Sequence, residues 1–184
     1  MKINLSSIFR KKNALQKIYP RSSFFPLIEL KCSYPFFRSL ERNNIYAYSS
    51  RIMVKPEGIK KIESTVKALF CKEITQEKEF ISFKGKALHY FKFEEFDQTV
   101  IDIITNNVDF IRKILCEKLE PPAPDVVFPD CDFESLGSLQ GNIEFWWDVY
   151  WSPFWNALSE EDKMIYLHQN NISNGLRDFL MLHN

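Results

Sequence analysis

Apolar and polar positions alternate with two different periods along this chain, and the change of period maps its elements. Over residues 5–19, Ile8, Leu15, Ile18 and Tyr19 form an imperfect apolar stripe with Arg10, Lys11, Lys12 and Lys17 outside it. This predicts a helix that Pro20 ends. Residues 24–34 and 45–54 are rich in aromatic and β-branched side chains and read as strands. Pro56 suits a first helical position, and Ile59, Ile62, Val66, Leu69 and Phe70 share one stripe, predicting a helix to about residue 72. Two aromatic-rich runs, 79–83 and 87–93, flank Lys84-Gly85-Lys86 in the manner of a hairpin with a three-residue loop. The strongest helical periodicity covers 95–119, where Phe96, Val100, Ile103, Ile104, Ile111, Ile114 and Leu115 recur at i, i+3, i+4 and i+7. Asn106-Asn107 is the point at which that helix could divide.

Pro121-Pro122-Ala123-Pro124 reads as a stiff, extended connector. Beyond it, residues 133–184 are helical in pattern. Ile143, Trp146, Trp147, Tyr150, Trp151 and Phe154 occupy one stripe, with Pro153 marking a break or a fresh start. Ser159 followed by Asp162 is close to a capping box for a helix over 160–169, and Ser173 caps a last helix over 174–182. The expected architecture is α+β. A small, mostly antiparallel sheet with packed helices occupies residues 1–120, and a helical part over 121–184 packs on it within one domain. A chain of 184 residues buries roughly 70% of its extended surface on folding, enough for one core.

Composition narrows the chemistry. Five glycines is few, and no GxGxxG, GxxxxGK[ST], GxSxG or HExxH is present, which counts against dinucleotide folds, P-loops and the common hydrolases. Cys32, Cys71, Cys116 and Cys131 form no CxxC, so free thiols are expected and a zinc site is not. His89 lies in a predicted strand, His168 on an amphipathic helix and His183 beside the terminus, which are structural or solvated settings. No cofactor and no catalytic activity are expected. Residues 1–20 contain no apolar signal core, and no apolar run approaches the roughly 20 residues that span a bilayer, so a cytoplasmic location is expected.

Charge changes the picture more. The formal charge is zero, yet residues 1–92 carry 19 Lys and Arg against 7 Glu, a net of +12, and residues 93–184 carry 5 against 17 acids, a net of −12. Ten acids and no base lie between Leu119 and Asp162. Three readings follow: the halves neutralise each other internally, the acidic stretch faces a basic protein, or the basic half binds phosphates. Screening over about 8 Å at physiological salt confines the acidic field to whatever docks on it.

Asp130, Asp132 and Glu134 alternate, and in an extended segment would share one face, an arrangement that suits a hard cation or a basic partner. An EF-hand loop starting at Asp130 would need Gly and Glu where Ser135 and Gly141 stand, so that match fails. Residues 145–155 hold all four tryptophans, more rings than one helix face covers. They read either as aromatic core or as a partly exposed platform beside Glu144 and Asp148. Aromatic rings interleaved with acids favour a protein over a nucleic acid, because the acids repel phosphate.

The run Phe145-Trp146-Trp147, Tyr150-Trp151, Pro153-Phe154-Trp155, Leu158-Ser159-Glu160-Glu161, Tyr166-Leu167 and Asn171-Ile172-Ser173 resembles the C-terminal region of some bacterial immunity proteins. Those accompany contact-dependent and other polymorphic toxins. The resemblance spans residues 145–173 and implies a small cytosolic protein that binds a toxin domain and blocks its active site. The expected partner surface comprises Asp125, Asp130, Asp132, Glu134, Glu144 and Asp148, with Trp147 or Trp155 as an anchor. A nucleic-acid-associated protein using the basic half is the alternative, and an enzyme of unrecognised type a further one.

Overall fold

The computed structural model describes residues 13–24, 26 and 34–183. The predicted 5–19 helix is seen over residues 13–18 (α1), its earlier part lying outside the described residues. Most of the predicted 24–34 strand also lies outside them.

Five antiparallel strands form one sheet in the order β1-β2-β5-β4-β3 with helices packed against it, so the fold is α+β. The strands are β1 Arg38–Ser39, β2 Tyr48–Met53, β3 Lys78–Phe83, β4 Lys86–Glu95 and β5 Gln98–Thr105. Both hairpin turns use two residues at positive φ, the geometry that matches strand twist. Lys84 and Gly85 (φ 47° and 77°) join β3 to β4, one residue fewer than the pattern predicts, and Phe96 and Asp97 (both 55°) join β4 to β5.

The β4–β5 turn corrects the predicted 95–119 helix. Residues 98–105 form β5, which pairs with β4 along its whole length and with β2 over 100–105, and helix α3 occupies only Val108–Cys116. Ile101 and Ile103 are buried in the core on one face, while on the other Val100 is buried in a second cluster and Ile104 half-buried in a third, so the apolar run satisfies a helical template as well as a strand. Asn107 starts α3 by accepting from the Asp109 and Phe110 amides at 3.1 and 3.2 Å.

One sheet face packs Tyr48, Ile52, Ile81, Leu88, Tyr90, Ile101 and Ile103 against α2 (Pro56–Phe70) and α3. Gly58 in α2 permits close approach, since a Cβ there would stand 3.1 Å from the Val54 Cβ. Among the described residues, the opposite face is covered only at its ends. Tyr19, Ile45, Ala47 and Ala87 cluster at one end, and Met53 and Val100 enter the tryptophan cluster at the other.

The four residues of the predicted connector are all buried, so it is a packed strap rather than a free spacer. Lys55 ties its start, meeting Glu120 Oε2 at 2.7 Å and Asn170 Oδ1 at 3.2 Å. After it come α4 (Pro124–Val127), α5 (Asn142–Trp146), a π-helical turn (Trp147–Trp151), α6 (Ser152–Trp155), α7 (Glu160–Gln169) and α8 (Asn174–Leu182). Ser159 and Ser173 cap α7 and α8, accepting from Asp162 N and Leu176 N. No helix among the described residues is long and apolar enough to cross a membrane.

Candidate functional site

All four tryptophans are core. Trp146, Trp151 and Trp155 have no exposed surface and Trp147 only 6%. Trp151 stacks on Trp146 and Trp155 with centroids 5.6 and 5.7 Å apart, and Trp155 Nε1 donates to Leu180 O. The expectation that Trp147 or Trp155 anchors a partner is therefore corrected. The π-helical turn buries Trp147, Tyr150 and Trp151.

The acids behave differently. Asp125, Asp130, Asp132, Glu134, Glu144 and Asp148 are all exposed, as are Glu160, Glu161 and Asp162. Among the described residues, only Glu120 (with Lys55) and Glu160 (with Lys163) of this stretch pair with a base. Among the described residues, two ion pairs join the basic and acidic halves of the chain: Arg51–Asp102 and Lys55–Glu120. The other pairs lie within one half. Internal neutralisation of the acidic stretch by the described bases is thus slight.

Asp130, Asp132 and Glu134 remain together in one loop, where Asp132 accepts from the Glu134 amide at 3.2 Å and from Ser135 Oγ at 2.8 Å. Burial, then the Asp132 charge, pushes the neighbouring Cys131 thiol up. Among the described residues, no three His, Cys, Asp or Glu side chains converge as a metal site would need. Asp148 stands apart from this loop. It lines a groove of about 490 Å³ between the π-helical turn and the sheet, with Phe36, Arg38, Ser49, Arg51 and Asp102.

That groove opens onto the uncovered middle of the sheet, which sequence reasoning did not single out. Register places Arg38, Ser49, Ile104, His89 and Phe80 in one row across the five strands, and Arg51, Asp102, Phe91 and Lys78 in the next. Arg51 holds Asp102 and stacks over Phe93 at 5.3 Å. Its hydrogen bond to Asp102, opposed by burial and aided by the charges of Asp102, Tyr150 and Glu95, holds the guanidinium above its ordinary value. Tyr150 donates to Glu95, and burial with that bond pushes the phenol up.

Among the described residues, the histidines assemble no proton-transfer constellation. His89 Nδ1 lies 2.8 Å from Tyr19 Oη, and burial, then Lys78, pulls its pKa down, favouring neutral imidazole. His168 is exposed, and His183 Nδ1 lies against Phe179 O at 2.9 Å. No family model, curated protein or solved structure matches the chain.

Proposed function

We propose that this chain is a non-catalytic cytoplasmic binding protein, an immunity protein that neutralises a cognate bacterial toxin, a nuclease, by covering its basic active-site surface. The observation that carries the reading is the exposed acidic stretch, whose carboxylates are left almost entirely unpaired by the described bases. A nuclease holds phosphates with Lys and Arg, so a carboxylate surface of this kind both occupies that site and steers the encounter. The resemblance of residues 145–173 to immunity proteins points the same way, though the tryptophans within it serve the core and leave binding to the exposed acids. Those acids are Asp125, Asp130, Asp132, Glu134 and Glu144, with Asp148 belonging to the sheet-side groove.

The test titrates the purified chain against the nuclease domain encoded beside it and reads residual nuclease activity. Inhibition should be stoichiometric, with an association rate that falls steeply as salt rises. Changing Asp130, Asp132 and Glu134 together to Lys should slow association at least tenfold while far-UV dichroism and melting stay near wild type. Unchanged association by that triple variant at low salt, or an adjacent gene that encodes no basic toxin domain, would remove the proposal.

A further inference from the structure

The part of the sheet that the described residues leave open carries two exposed rings. Phe80 is 46% and Phe91 41% exposed, both on the face opposite α2 and α3. They are not isolated. Phe80 lies against His89 with centroids 4.8 Å apart, and Phe91 stacks on Phe93 at 5.0 Å and 23°. Across the groove Phe36 adds a third exposed ring, at 55%. An aromatic strip of this kind on a soluble protein marks a binding surface.

Its charges identify the occupant. Lys78 stands 5.9 Å over the Phe91 ring, Arg51 frames Phe93, and Arg38 closes the row beside Ser49. Lys78 and Arg38 make no ion pair among the described residues. Two carboxylates on this side are already engaged, Asp102 by Arg51 and Glu95 by Tyr150. Asp148 lines the groove wall and makes no ion pair among the described residues. Flat rings flanked by free cations suit a ligand with planar faces and a phosphate backbone. A protein helix would want the rings without the cations, and an acidic peptide the cations without the rings.

We infer that this sheet face binds single-stranded nucleic acid, its bases stacking on Phe80 and Phe91 and its phosphates meeting Lys78 and Arg38. Stacking is tolerant of sequence, so the site distinguishes single strands from duplexes, whose bases are not available to the rings, and does not read base identity. The inference uses a different surface from the toxin-binding proposal, and either can fail alone.

The test measures fluorescence anisotropy of a labelled oligothymidylate and oligouridylate of about ten nucleotides with the full chain. Binding should saturate at about 50 mM salt and weaken at least tenfold by about 300 mM. Changing Phe80 and Phe91 together to Ala should weaken it by a further tenfold or more, since each base loses its platform. Both rings are partly solvent-exposed, so the melting curve should stay close to wild type. Phe91→Tyr, which keeps a ring, should restore most of the affinity lost by Phe91→Ala and separates stacking from a folding defect. The triple Lys variant at Asp130, Asp132 and Glu134 should bind the oligonucleotide at least as well as wild type. Absence of binding at the lower salt would overturn the inference. So would affinity that the ring substitutions leave unchanged, equal affinity for a duplex, or equal affinity for a polyglutamate peptide.

Discussion

Arg51 reaches from β2 to β5 and forks onto Asp102, its Nε 2.8 Å from Oδ1 and its Nη2 2.9 Å from Oδ2. The two residues are direct register partners, so the fork needs no distortion of the ladder. It also joins the oppositely charged halves of the chain at the floor of the groove, with the guanidinium held over Phe93. Arg51 is thereby oriented, and its charge locally offset, leaving Arg38 and Lys78 as the free cations of that face.

The fork should contribute little to stability despite its geometry. Its side chains retain 43% and 33% of their exposure, so solvent screens the pair, and a double-mutant cycle of Arg51→Ala with Asp102→Ala should give a coupling of about 0.5–1 kcal/mol. The coupling should shrink at molar salt. Urea titrations of the four proteins check it, and a coupling well above that range would mean the pair is more desolvated than its exposure implies.

The tryptophans should answer very differently to conservative and severe change. Trp151→Ala opens a cavity among Trp146, Phe154, Trp155 and Tyr166, and should cost about 3–5 kcal/mol. Its Nε1 is buried with no hydrogen-bond partner among the described residues, so Trp151→Phe removes an unmet donor and should cost clearly less. Trp155→Phe removes the bond to Leu180 O and should cost more than Trp151→Phe. Chemical denaturation ranks the three, and iodide should barely quench the wild-type fluorescence.

Much of the fold was readable before any coordinates, and the failures share a cause. Pro56, Ser159 and Ser173 start helices as their side chains predict, because caps and first-turn prolines act locally. Residues 98–105 misled because apolar side chains on both faces of the strand, feeding separate clusters, erase the period of two, and Phe96-Asp97 adopts a tight turn without glycine. The strap over 121–124 is buried because Lys55, Glu120 and Asn170 pin its start, a tertiary fact no local pattern carries. The exposed acids were found from their charge alone. Phe80 and Phe91 were not, since β3 and β4 have rings on both faces and alternation does not say which face is left open.

The β3–β4 turn offers a stabilising change. Lys84 sits at φ 47° ahead of Gly85, is exposed, and pays a steric penalty that asparagine largely avoids. Lys84→Asn creates the Asn-Gly pair that this turn type prefers and should raise stability by about 0.5–1 kcal/mol. A higher denaturation midpoint with an unchanged urea slope is the expected reading. A lower midpoint would mean that Lys84 contributes more through its contact with the Phe83 ring than it costs in the turn.

Glu79 sets the acid limit. Its carboxylate is held first by Lys72 at 2.9 Å, then by the Thr75 and Gln76 amides and the Thr75 hydroxyl, which pull its pKa down to about 2 from an ordinary 4.5. Because the folded value lies below the unfolded one, the unfolded chain binds the proton first as pH falls. The stabilisation is therefore complete above about pH 4.5 and drains away between there and about pH 2. Glu79→Gln cannot ionise, so it should be less stable than wild type at neutral pH, and the gap should narrow steadily across that interval. Thermal melts of both proteins from pH 7 to pH 2 follow it. A difference that stays constant with pH would show that Glu79 acts through shape and hydrogen bonding, with its charge immaterial.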